Sequence, residues 1–181
     1  MKYFLFLLAS IICLTNSYSQ KHKTKTGPVF DEFGGVYVLD EPDLLLDTDK
    51  HYKVIFDVYT DEKKASVMNP LINTVARFMN MHAQNGLAED QMEIVLVLHG
   101  AATKNALSEK AFKKEFKTKH PNAELISELA KKNVRVFVCG QSMISKGFES
   151  KDIYDDVKIS LSALTALIKY QYEGYQLINF N

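Results

Sequence analysis

Two short strings in this chain join a reactive side chain to glycine: Cys139-Gly140-Gln141-Ser142 and His99-Gly100. A cysteine followed at once by a turn-forming residue can act as a nucleophile or sulfur carrier. Its thiolate attacks sulfane sulfur and can hold the atom as a persulfide, and backbone N–H groups of the turn lower its pKa. Gly140 would let the backbone approach the bound group, with Gln141 and Ser142 lining it. The competing reading of Cys139 is a small apolar residue buried at a strand end, since free cysteines are often buried. His99 suits a base, a hydrogen-bond donor or a plain carbonyl cap. Asn69-Pro70 reads either as a helix start or as a third polar contribution to the same site, through Asn69 and beside Gly100.

Other chemistry finds less support. No Cys-x-x-Cys is present, so dithiol exchange within one chain has no resolving partner. Gly100-Ala101-Ala102-Thr103 lacks the glycine series and Lys-Ser/Thr of a phosphate loop. Ser142 and Ser145 lack a nucleophile-elbow setting, and no acidic partner for His99 is apparent, which weakens a hydrolase reading. No spaced ligand series surrounds Cys139 and His99, so neither a metal nor a cofactor is implied. His22, His51, His82 and His120 are scattered and read as surface or helix-face residues. The basic run Lys110–Lys119 reads as a solvated helix face.

These side chains need elements to place them. Tyr52–Tyr59 is β-branched and aromatic, and reads as a strand with one face less buried. Met92–Leu98 is almost wholly apolar, as a strand covered on both faces would be. Val134–Val138 is a third strand and Tyr175–Ile178 a last one. Between them, Leu71, Val75, Phe78, Met79 and His82 recur at helical spacing up to Asn85-Gly86. Further helices are expected over 107–117, over 123–132 capped by Asn122, and over 161–172 burying Leu161, Leu164, Thr165, Ile168 and Tyr172. The alternation predicts an α/β three-layer sandwich, a mainly parallel sheet flanked by helices. Ligands of such sheets bind outside the carboxyl ends of the strands, where His99 and Cys139 both fall.

The chain has 181 residues, 22 basic and 22 acidic. Residues 1–19 read as a signal peptide: Lys2, an apolar run from Phe4 to Leu14, then Ser17 and Ser19 at the positions that want small side chains. Cleavage there leaves 162 residues, 21 basic against 22 acidic, and Cys139 as the one cysteine. An intramolecular disulfide is thereby excluded. Near-neutral charge argues against a nucleic-acid binder, and 46% hydrophobic residues argue against disorder. The expected location is periplasmic or secreted, with no transmembrane helix after cleavage. Residues 20–50 read as an N-terminal extension, partly flexible, with little to bury before 30 and a short edge strand over 36–39. The domain proper is expected over 51–181.

Val95-Leu96-Val97-Leu98-His99-Gly100, then Leu129 through Cys139-Gly140-Gln141-Ser142-Met143, then Leu164 through Gln171 to Glu173-Gly174-Tyr175 resemble the DsrE/DsrF-like family. The resemblance extends over roughly residues 52–178. It implies a small α/β fold assembling as a homo-oligomer, trimer or hexamer, and a cysteine that carries sulfur as persulfide between a donor and an acceptor protein. Cys139 matches the position after the strand that holds a cysteine in many members. The expected function is sulfur (persulfide) binding or transfer; the alternative is a non-catalytic ligand-binding or interaction module with Cys139 structural.

Overall fold

Five short strands pair side by side in this computed structural model, which describes residues 23–180. The signal-peptide reading of 1–19 lies outside the described residues. The strands are β1 (Tyr52–Val58), β2 (Met92–Leu98), β3 (Arg135–Cys139), β4 (Val157–Ser160) and β5 (Gln176–Asn179). Their order is β4-β3-β2-β1-β5, and every pairing is parallel. β2 is central, which is why MEIVLVL carries no polar residue except Glu93. β1 is buried on both faces from Val54 to Val58, more completely than its alternating sequence implies.

The helices are α1 (Pro70–Gln84), α2 (Glu109–Phe116), α3 (Ala123–Lys131), α4 (Gly140–Ser145) and α5 (Ala163–Tyr172). From β1 to β4 the chain steps across the sheet in one direction, and α1 and α3 pack on one face. There Phe56, Leu96, Val136 and Val138 meet Ile72, Met79, Leu125 and Leu129. After β4 the chain returns to the other edge beside β1. A right-handed crossover in the reverse direction must use the opposite face, so α5 lands there alone. It covers Ile55, Val95, Val97 and Cys139 with Ala163, Ala166 and Tyr170.

α5 corrects the sequence reading of its buried side. Leu161, Leu164, Ile168 and Tyr172 are 72, 72, 54 and 89% exposed. The helix begins only at Ala163, capped by Ser162, and its small residues Ala163 and Ala166 let it lie close to the sheet. The larger apolar stripe therefore points outward.

The N-terminal segment differs too. Only Val36 pairs, through a single antiparallel bridge to Lys25, while Tyr37, Val38 and Leu39 are exposed. Val29 and Phe30 are buried in the core on the α1 side. They are held by Asn80, which is fully buried on α1. Its Oδ1 accepts from the N–H groups of Val29 and Phe30 at 3.1 and 2.9 Å. Its Nδ2 donates to the carbonyls of Phe30, Phe33 and Gly34. Asn73 and Gln84, seven residues before and four after, bond the same strap at Gly34 and Gly27.

Candidate functional site

The parallel register brings the reactive residues together. Asp57 pairs with Val97, and Val97 with Phe137. Two residues further along the same face stand Tyr59, His99 and Cys139. The backbone of His99 is still extended, at φ −150° and ψ −177°, and its N–H bonds the Val58 carbonyl at 3.1 Å. His99 and Cys139 thus follow directly on the last ladder pair, Leu98 and Val138. Both lie on the α5 face, at the carboxyl rim.

Cys139 is the N-cap of α4, because β3 passes into that helix without a loop. Its Sγ accepts the Ser142 N–H at 3.4 Å. Burial, with the residue 5% exposed, works to raise the thiol pKa. Hydrogen bonds from the Ser142 hydroxyl and from the N–H groups of Ser142, Ala163 and Gln141 outweigh it and hold the thiol below its ordinary range. Ala163 opens α5, so the sulfur stands between the starts of two helices. Ser142 also joins the two strand ends, its Oγ accepting from the Gly100 N–H at 3.2 Å.

Two glycines allow this closeness for steric reasons. Gly100 has φ +54°, and a Cβ there would lie 2.3 Å from the Tyr59 ring. At Gly140 a Cβ would lie 2.7 Å from the Ser160 carbonyl. Gly140 therefore permits close approach to the neighbouring strand β4, a different reason from the ligand contact expected of it. Gln141 is exposed, and its side chain reaches the Leu161 carbonyl at 3.4 Å.

Asn69 is not brought to the open rim. It is fully buried, its Oδ1 capping α1 at Leu71 N–H and its Nδ2 donating to the Thr60 carbonyl. It belongs to a buried polar network beneath the rim. Asn122, expected as the cap of α3, makes no side-chain cap bond. Its Oδ1 accepts from the Asn69 N–H at 3.0 Å and its Nδ2 donates to Asn105 Oδ1 at 2.8 Å. Asn105 in turn donates to Asp61, which pairs with Lys104 at 3.2 Å. His120 is 2% exposed rather than superficial. Its Nδ1 accepts the Asn122 N–H, so Nε2 carries the proton and donates to the Asn105 carbonyl.

The residue that sequence reasoning missed at the rim is Asp57. Its Oδ1 lies 2.6 Å from His99 Nε2, and its Oδ2 accepts from Asn179 at 3.3 Å. The carboxylate is 8% exposed and the imidazole 21%. The signal was present: an acidic residue within the apolar run of β1, one position before its end.

Two surface depressions of about 490 and 580 Å³ lie elsewhere, one beside His120 and Tyr154, the other between Met143 and Phe148. Neither is lined by Cys139 or His99. Among the described residues no group of three or more His, Cys, Asp and Glu side chains could hold a metal ion. No helix among them is long and apolar enough to cross a membrane.

A family model for DsrE/DsrF-like proteins matches residues 53–180. The chain belongs to the DsrE/DsrF-like family. This DsrE/DsrF-like chain is also similar in fold to MTH1491, a Methanobacterium thermoautotrophicum protein of unknown function, at 21% identity and a TM-score of 0.54. That match covers 71% of this chain and 99% of the other. The ychN protein of E. coli matches at 16% identity and a TM-score of 0.48, over 71% and 99% of the two chains. No curated protein matches the sequence. The DsrE/DsrF-like sheet, five parallel strands between helices, accounts for the placement of both His99 and Cys139 at one rim.

Proposed function

We propose that the protein binds sulfur as a persulfide on Cys139 and passes it to an acceptor protein. The observation that carries this reading is the setting of the sulfur: a thiol at the carboxyl rim of a parallel sheet, N-cap of α4 and acceptor of the Ser142 N–H at 3.4 Å. Membership of a family associated with sulfur relay supports it. The cargo is a single atom, so a donor need only present its terminal sulfur. His99, Gly100, Gly140, Gln141 and Ser142 shape the approach. The protein works in the periplasm or outside the cell, following the reading of residues 1–19.

The test is incubation with polysulfide followed by intact-mass measurement. The wild type is expected to gain one sulfur atom, released by dithiothreitol, and Cys139→Ser to gain none. An equal adduct on both, or none on the wild type, would sink the proposal.

A second reading draws on the 5% exposure of Cys139 and its packing among Ala163, Ala166 and Val97. There the thiol is structural and the protein a non-catalytic binding module. That reading predicts alkylation of the native thiol only after unfolding; rapid native labelling rejects it.

The protein also assembles with copies of itself, as a trimer or hexamer, in this proposal. Leu161, Leu164, Ile168 and Tyr172 form an outward apolar stripe that association would remove from water. Light scattering should give a multiple of the chain mass, and Ile168→Glu should give the single chain. A single-chain mass for the wild type across micromolar concentrations would refute assembly.

A further inference from the structure

Asp57 is the one acidic side chain in the buried stretch of β1, on the face it shares with Ile55 and with its register partner Val97. A carboxylate placed there gives up hydration that only a hydrogen-bonding or charged partner can offset. An apolar residue would serve packing better. Its partners are Asn179 and, at 2.6 Å, the imidazole of His99. An ionised carboxylate can only accept, so Nε2 carries a proton and the lone pair of neutral His99 is on Nδ1. Tyr59 packs its ring on the imidazole at 5.1 Å, closing one side. Cys139 follows in register on the next strand, and Ser142 ties the two strand ends together.

We infer that His99 exchanges protons with the reacting sulfurs at Cys139, and that Asp57 is the positioning residue that fixes its tautomer. The inference rests on the persulfide reading above. The Cys139 thiol gives its proton to His99 Nδ1, and the thiolate attacks the terminal sulfur of a donor persulfide, R–S–SH. A bond forms between Cys139 Sγ and that sulfur while the donor's S–S bond breaks. The electron pair leaves on the donor's inner sulfur, which takes the proton back from His99 and departs as R–SH. Cys139–S–SH remains. Sulfane sulfur has changed carrier, with no net oxidation or reduction and no other reactant.

A proton delivered to the leaving sulfur matters most when that sulfur is basic. The experiment therefore compares two donors, an alkyl persulfide and an aryl persulfide, whose leaving thiols differ in basicity. Loading rates of the full chain are followed by intact mass for the wild type, Asp57→Asn and His99→Gln. The wild type should load from both at similar rates. In each variant the aryl-to-alkyl rate ratio should rise by about tenfold or more, because the alkyl thiolate leaves unaided. Fast loading from the aryl donor shows that the variant site is intact, and His99→Gln serves alone if Asp57→Asn does not fold. An unchanged ratio, including an equal slowing with both donors, overturns the inference. A wild type that loads from neither donor overturns the persulfide reading itself.

Discussion

Acidification should loosen this protein through His120. Both ring nitrogens are committed: Nδ1 accepts the Asn122 N–H at 3.1 Å and Nε2 lies 3.1 Å from the Asn105 carbonyl. The ring stacks on Phe112 with centroids 4.2 Å apart. A proton added at Nδ1 would face an N–H donor at the start of α3. Burial lowers the pKa of His120, against the Asn105 carbonyl and the charges of Glu109 and Asp61, which raise it. The unfolded chain then binds a proton that the folded chain refuses. Stability is full above the unfolded value of about 6.5 and falls below it by up to about 1.4 kcal/mol per pH unit, until the folded value is reached. Between about pH 7 and pH 5 the loss is at most about 2 kcal/mol for this one group. Urea unfolding of wild type and His120→Gln at both pH values isolates it, since the carboxylates and His82 are common to both. His120→Gln should be weaker at neutral pH yet lose less on acidification. Equal losses in the two proteins would refute the reasoning.

The other predictions concern the thiol, the strap and the rim. The rate of iodoacetamide labelling of Cys139 should level off at a lower pH than that of an ordinary thiol, about 8.5, and Ser142→Ala should move the inflection upward. Asn80→Ala removes the partner of five backbone groups; at about 1–3 kcal/mol for a buried group left unpaired, a loss of roughly 3 kcal/mol is expected in urea. Gly100→Ala must move the Tyr59 ring and hold an alanine at positive φ, which should cost about 1–3 kcal/mol in urea unfolding.

What was legible in the sequence is what periodicity encodes. β2 announced itself by an unbroken apolar run, and α1 by its spacing and its Asn-Pro start. The helix α4 has six residues, too few for a repeat, and β4 has four, two of them exposed at the sheet edge. For α5 the sequence offered two apolar stripes, and size favoured the wrong one, because close packing on a sheet selects alanine over leucine. Buried polar residues were the least legible. Asn80, Asn105, Asn122 and Asp57 carry the sequence signature of caps and turns, and only the packed chain shows that their partners lie up to 122 positions away. The rim was legible at Cys139 and His99, since glycine marks both strand ends, but not at Asp57.

The strap over residues 27–34 is anchored to α1 through Asn73, Asn80 and Gln84. Its Val29 and Phe30 sit in the core on the α1 side of the sheet, whereas Cys139 belongs to the cluster under α5. A pulling force applied at Lys23 would therefore bear first on those side-chain bonds, on the side of the sheet away from the thiol.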